Sequence, residues 1–258
     1  MFTLTKQEVF KLVHKKSTGI TTVILLIIQI AFCLFGKNNP RLFNQASLFN
    51  TGYEGFILIM FFLIAGSATI ISSEFEWGTI KELLYRRYSR GQVLVSKWLT
   101  IFLYSLYWYI LVGLVALILN STVYPKIDLG QTIGHGYSHL TYFVAYNVAG
   151  LLTTWLLVSV VFLVANIFNN AAVSVSVGIV GYFVLGVAGS FLTNLIAKWE
   201  WVKWNPVTML YYPNQLTSTT LPHLTQLSLN QLAFGNVVYI ALFLGIGYLV
   251  FKKKKCVR

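Results

Sequence analysis

Residues Ser72–Trp98, SSEFEWGTIKELLYRRYSRGQVLVSKW, form the one long charged segment set between apolar runs, and the fold follows from them. They carry two helix starts. Thr79 as N-cap with Glu82 three residues on fits the reciprocal capping box. Ile80, Leu83 and Leu84 then share one face while Glu82 and Arg86 stand four apart on another, which predicts a short amphipathic helix ending at Arg87. Ser89 is the second N-cap, with Gln92 at the third helical position and Tyr88 and Val93 spaced for a hydrophobic staple. The second helix runs unbroken into the apolar stretch after Lys97. A small amphipathic helix thus lies across the foot of two membrane spans, suited to docking a partner. A loop resting on lipid headgroups is the plainer alternative.

Composition sets the class around that segment. The 258 residues are 57% hydrophobic and 10% charged, with a mean hydropathy of +0.70, against about 25% charged in soluble domains. Such a chain holds about six spans of roughly 20 residues. The expected fold is therefore an all-α polytopic membrane protein, one domain over residues 1–258 with no separate soluble catalytic domain. The net charge of +12 does not imply nucleic acid, because the basic residues flank apolar runs and so orient the chain in a lipid bilayer. Cys33 and Cys256 give neither a disulfide framework nor metal-ligand spacing.

The chain order places the spans. Residues 1–17 are basic, with Leu4, Val9, Phe10, Leu12 and Val13 among lysines, as an interfacial helix requires; a simple run of positive charge before a span fits too. No small-residue cleavage site follows, so the first apolar run is expected to stay as span one, near 19–35. Spans two to six are expected near 54–72, 98–119, 142–168, 171–197 and 232–251, and residues 73–97 form the charged connection. Only Asn169 and Asn170 separate spans four and five, a tight hairpin. Residues 198–231 are rich in Trp and Tyr and interrupted by Pro206, Pro213 and Pro222, so no clean span fits there. Re-entrant pieces forming a cap, or a loop with interfacial anchors, are the two alternatives. Lys6, Lys11, Lys15, Lys16, Lys81, Arg86, Arg87, Arg90, Lys97, Lys252–Lys255 and Arg258 fall on one side, against Lys37, Arg41, Lys126, Lys198 and Lys203 on the other. The first side is expected to be cytoplasmic, with both termini there. Few cysteines and no targeting signal suit a bacterial plasma membrane.

Glu74-Phe75-Glu76-Trp77-Gly78-Thr79-Ile80-Lys81, followed by Leu83-Leu84, Ser89-Arg90 and Lys97, resembles the motif of ABC-2-type permeases. These are membrane subunits of ABC exporters used in antibiotic and antimicrobial-peptide export and immunity. The six-span layout, the basic N-terminus and the amphiphilic stretch before the last span also match. The resemblance implies that the segment is a coupling helix seated in a cleft of a separate ATPase subunit. It further implies that two permease subunits work side by side as a homo- or heterodimer. Tyr88 departs from the pattern, since many members place a proline before Ser-Arg.

The residues themselves agree with an external energy source. No G-x-x-x-x-G-K-[ST] phosphate loop occurs, so the chain is expected to bind no cofactor, with ATP and Mg held by the partner. Glu54, Glu74, Glu76, Glu82, Asp128 and Glu200 fall at span ends or in loops, unlike the carboxylates that relay ions at membrane depth. In the docking role Ile80, Leu83 and Leu84 are apolar anchors, and Glu82, Arg86 and Arg87 are rim charges. Glu74 and Glu76 can pair with Arg86, Arg87 or Arg90, or stand solvated; Arg87 and Arg90 can instead meet anionic lipid.

A route for cargo is less defined. Ser174, Gly178, Tyr182 and Gly186 lie on one stripe of span five, where small residues permit close helix approach, either within the chain or at a dimer seam. Tyr104 and Trp108 share a face of span three, and Gln29 and Asn147 are polar groups at depth; they line a pathway or are packing. Many aromatics and few buried charges favour an amphiphilic cargo. Two rival functions remain. One is a non-transport scaffold or sensor. The other is an intramembrane metal-dependent enzyme using His135 and His139, whose spacing suits zinc but whose flanking Gly134 and Gly136 weaken the helix it needs.

Overall fold

Backbone N–H and C=O groups cross lipid only when paired within the crossing segment, so apolar runs of this length become helices. The computed structural model describes residues 2–76, 78, 89–124, 129–133, 137–168 and 170–253. Among them six helices are long and apolar enough to span a membrane. Span one is Lys16–Asn38, span two Gly55–Glu76, span three Arg90–Val123, span four His139–Ile167, span five Ala171–Ile196 and span six Leu229–Lys253. The chain is an all-α polytopic membrane protein. Its first helix, Phe2–Val13, precedes span one, and six crossings bring that helix and Lys253 to one face, called here the N-terminal face.

Most spans run beyond their sequence-expected ends. The charged connection is correspondingly shorter, 77–89 rather than 73–97. Span three begins eight residues before Trp98 because its cap forms: Gln92 N donates to Ser89 Oγ at 3.3 Å and Ser89 N to Gln92 Oε1 at 3.0 Å. Thirty-four residues make a helix about 51 Å long, well over the roughly 30 Å of hydrocarbon, so its first turns stand outside the apolar layer. The expected capping box of Thr79 and Glu82, and the Tyr88 end of the staple, lie outside the described residues. Asn170 caps span five by accepting from Val173 N at 3.1 Å.

Spans two and four form the centre and are the most buried. Span four packs on spans two, five and six, and the first helix packs on span three. The core between spans one to four contains Leu25, Cys33, Phe49, Tyr53, Leu63, Ile101, Trp108 and Phe162. A short helix, Gln45–Asn50, leads into span two through a left-handed turn, with φ of 61° at Gly52, 50° at Tyr53 and 64° at Glu54. Left-handed backbone costs a non-glycine residue roughly 1–2 kcal/mol. It is held by Tyr53 N donating to Leu48 O at 2.7 Å and Gln29 Nε2 donating to Gly52 O at 2.9 Å.

On the opposite, far face the 198–231 stretch folds into four short pieces: a 3₁₀ turn at Glu200–Trp204 and helices Pro206–Met209, Tyr212–Thr217 and Leu221–Thr225. Each of the three helices carries its proline in the first turn, where the missing N–H is harmless. They pack on spans four, five and six. Asn236 Nδ2 on span six donates to Met209 O at 3.0 Å, tying the cap down. A two-residue antiparallel ladder pairs Thr132–Ile133 with Tyr137–Ser138 on the same face.

Span five joins the bundle by one edge. A Cβ at Gly178 would meet Ile64 Cγ2 at 2.6 Å and Val161 Cγ2 at 2.9 Å, whereas one at Gly186 would meet nothing within 4 Å. Gly178→Leu should therefore destabilise the protein by about 1–3 kcal/mol through overpacking, and Gly186→Leu should leave it unchanged. Thermal unfolding of the two purified variants in one detergent checks this; equal melting would deny the close approach of spans two, four and five.

Candidate functional site

At the N-terminal face an amphipathic helix must reconcile lipid on one side with protein on the other. Leu4, Thr5 and Glu8 of the first helix are buried and Leu12 is partly so, all turned to the bundle, while Phe10 and Val13 are exposed. Three of those inward positions are unremarkable. A carboxylate among them demands a partner.

The partner is Lys97. Its Nζ donates to Glu74 Oε1 at 3.0 Å and to Glu8 Oε2 at 3.4 Å. Glu8, Glu74 and Lys97 are 5%, 9% and 2% exposed, so the ions are withdrawn from water. Lys11 Nζ donates to Glu8 Oε1 at 2.9 Å from the rim, with most of its own side chain exposed. One ammonium thereby joins three elements: the first helix, the end of span two and the start of span three. Ser73, one residue earlier, closes span two's last turn with a 2.6 Å bond to Thr69 O.

Burial works against the Lys11 ammonium, but the Glu8 hydrogen bond and the Glu8 and Glu74 charges outweigh it and raise its pKa above 10.5. A raised lysine adds stability that is complete below the ordinary value and is lost as pH climbs through the raised one. Lys11→Met should cost under about 1 kcal/mol at neutral pH, because the lysine is largely solvated and Glu8 keeps Lys97 as a partner. The gap from the unsubstituted protein should close above pH 11 in pH-resolved thermal melts; a gap constant to pH 12 would contradict the pairing.

The other end of the 77–89 connection is held as well. Arg90 Nη1 donates to Lys252 O at 3.3 Å, and a Cβ at Gly91 would collide with the Tyr248 ring of span six. Gly78 sits exposed with φ of 67°, a conformation glycine adopts freely. The two ends of the connection are thus fixed to spans three and six and to the first helix. Glu76 is exposed at the last residue of span two. Thr79, Ile80, Glu82, Leu83, Leu84, Arg86 and Arg87, the expected docking residues, lie outside the described residues, as do two of the three arginines offered to Glu74. Among the described residues the cation that Glu74 takes is Lys97.

The residues expected to line a pathway or seam divide between two surroundings. Trp108 is fully buried, edge-on to Tyr104 at 5.7 Å. Tyr104 OH lies 3.2 Å from Thr18 Oγ1, in the first turn of span one. Gln29 is sealed between the left-handed turn and span three, where its Nε2 also reaches Val112 O at 3.3 Å. Asn147 Nδ2 donates to its own helix at Phe143 O, 2.7 Å away. Ser174 meets Ser72 at 3.2 Å, and Tyr182 stands edge-on to Phe61 at 5.6 Å. These groups pack within the chain; Gly186 is exposed. His135 is outside the described residues, and among those described no three His, Cys, Asp or Glu converge as metal ligands.

Glu8 is the functional candidate that the spans and motif did not disclose. The available signal was position: a lone acid four residues from Leu4 and from Leu12 falls on the inward stripe of a basic helix.

Comparison with known proteins adds two relatives from Bacillus subtilis (strain 168). "Uncharacterized protein YhcI" is 35% identical over 165 residues, covering 57% of this chain and 49% of that protein. The chain thus spans about half the length of YhcI. "Uncharacterized membrane protein YdbK" is 28% identical over 204 residues, 74% of this chain and 76% of that protein. Residues 8–257 match the family described as "Protein of unknown function (DUF2705)", and the chain belongs to that family.

Proposed function

We propose that this chain is the membrane-spanning permease subunit of an ATP-driven ABC exporter in a bacterial plasma membrane. It moves an amphiphilic cargo, such as an antimicrobial peptide, an antibiotic or a lipid-like molecule, out of the cytoplasm or the membrane. A separate ATPase subunit binds ATP and Mg and docks on residues 79–87, and a second permease subunit completes the transporter. The observation that carries the proposal is the buried ion cluster of Glu8, Glu74 and Lys97 beside that segment. A docked helix transmits work only if its ends are fixed to the spans, and here one end is fixed by ions and the other by the Ser89 cap and the Arg90 contact. The motif from Glu74 to Lys97 supplies the kind of partner.

Affinity purification of the tagged chain from mild-detergent extracts of its own host tests the proposal. An ATPase subunit should copurify, and its hydrolysis rate should change with cationic peptides or amphiphilic antibiotics. Copurification without any ATPase, together with unaltered peptide and antibiotic sensitivity of a deletion strain, would defeat it.

A further inference from the structure

We infer that the far face carries a site for the phosphate of an anionic phospholipid, in the cavity between the end of span one and the start of span four. Arg41 is its cation, and Gln45, Gln131 and His139 are its neutral donors. The inference goes beyond the export proposal and stands without it.

The first wall is the chain that leaves span one. No Asp or Glu occurs between Glu8 and Glu54, while Lys37 lies in the last turn of the span and Arg41 four residues on. The chain turns back at once: Phe43 N donates to Asn39 O at 3.3 Å, and the Phe43 ring meets Phe35 edge-on at 5.6 Å. Asn44 caps the helix Gln45–Asn50 by accepting from Ala46 N at 3.0 Å. Phe49 of that helix stacks on Phe143 of span four at 4.5 Å, one turn after His139. The segment from Arg41 to Gln45 is thus clamped to span one on one side and to span four on the other.

The second wall is held by main chain. His139 N donates to Gln131 O at 3.2 Å, Leu140 N to Leu129 O at 3.1 Å and Thr141 N to Ser138 Oγ at 3.2 Å. These bonds set Gln131 beside His139 and occupy the first N–H groups of span four. Recognition therefore falls to side chains rather than to a free helix end.

Between the walls lies an open cavity of about 680 Å³, lined among others by Arg41, Asn44, Gln45, Gln131 and His139. No carboxylate lines it, and among the described residues no acid lies within ion-pair distance of Arg41. The Nδ1 of His139 is shielded and has no hydrogen-bond partner among the described residues. The proton of the neutral ring therefore belongs on Nε2, the donor left for a ligand. A guanidinium fork matches two phosphate oxygens, and the amide and ring N–H groups extend the set. A metal ion is poorly served, since the cavity offers it a single imidazole beside a repelling cation. Exposed apolar side chains flank the cavity: Leu42 at 73%, with Phe35 on span one and Leu140 on span four. A free phosphate has no use for them, whereas the acyl chains of a phospholipid do. Basic pockets between spans recognise anionic headgroups in this way.

The test uses the full chain purified in dodecyl maltoside and titrated with tritiated dioctanoyl phosphatidylglycerol by scintillation proximity. A saturable high-affinity component is expected above weaker binding to the basic N-terminal face. Arg41→Gln should weaken that component about tenfold or more, since the bonds to the guanidinium are charge-assisted. His139→Phe should weaken it less, and Arg41→Lys, which keeps the charge and loses the fork, should retain more binding than Arg41→Gln. Lys198→Gln, an exposed cation of the same face outside the cavity, should bind as the unsubstituted protein does. The variants are first matched in melting temperature; the Arg41 side chain is exposed, so its replacement leaves the packing intact. Unlabelled phosphatidylglycerol of the same chain length should displace the probe, and dioctanoyl phosphatidylcholine and inorganic phosphate should displace it far less. Displacement by inorganic phosphate at the same concentration would identify a free-phosphate site and overturn the lipid assignment. Equal binding by Arg41→Gln and the unsubstituted protein, or equal competition by phosphatidylcholine, would overturn the inference altogether.

Discussion

Lys97→Met should destabilise the protein by about 3–5 kcal/mol, the usual cost of leaving buried charge without its partner. Methionine fills nearly the same volume, so the loss is electrostatic rather than a cavity. Glu8 and Glu74, both nearly buried, would face each other without the ammonium that joins them, with Lys11 beside Glu8 at the rim. Glu8→Gln should cost less, since the 3.0 Å pair of Lys97 and Glu74 survives. The triple change of Lys97→Met with Glu8→Gln and Glu74→Gln should recover most of the loss, because all three buried charges are removed and the Lys11 left behind is solvated. Thermal melts of the series in one detergent decide it. If Lys97→Met melts with the unsubstituted protein, the three elements are held by apolar packing and the ions are incidental.

Leu83→Asp together with Leu84→Asp should release the ATPase subunit while leaving the membrane fold unaltered. Central apolar anchors of an interface lose about 2 kcal/mol or more each when truncated, and aspartate adds the cost of burying charge. Even a single such loss weakens binding about thirtyfold, enough to empty the complex during purification. Ser89→Ala is the informative contrast. It removes an N-cap worth about 1 kcal/mol from span three without touching the apolar anchors, so docking should be weakened modestly. Full retention of ATPase by the double aspartate variant would return residues 79–87 to a lipid-facing role.

The bundle was legible because lipid allows few solutions. Runs of apolar residues fix the six spans, and the Ser89–Gln92 pair fixes where span three begins, since a capping box uses neighbouring residues alone. Proline positions likewise located the breaks in 198–231. Long-range ion pairing was not legible. Glu74 had nearby arginines in sequence, yet its described partner is Lys97, 23 residues on. Glu8 finds the same ammonium from 89 residues away, and nothing local specifies that pairing. The stripe on span five shows a similar limit. Spacing placed Ser174, Gly178 and Tyr182 together, but only the path of spans two and four determines that Gly178 is wedged and Gly186 free.

The interval between Glu8 and Lys97 also has a consequence for biogenesis. Ribosomes add about 5–20 residues per second, so the first helix waits roughly 4–18 s before its ammonium partner is synthesised. During that wait Lys11, one turn along, is the counter-ion at hand. Insertion of span three then decides the pairing: a third crossing that enters in the opposite orientation carries Lys97 to the other side of the bilayer from Glu8, so the cluster closes only around a correctly oriented hairpin.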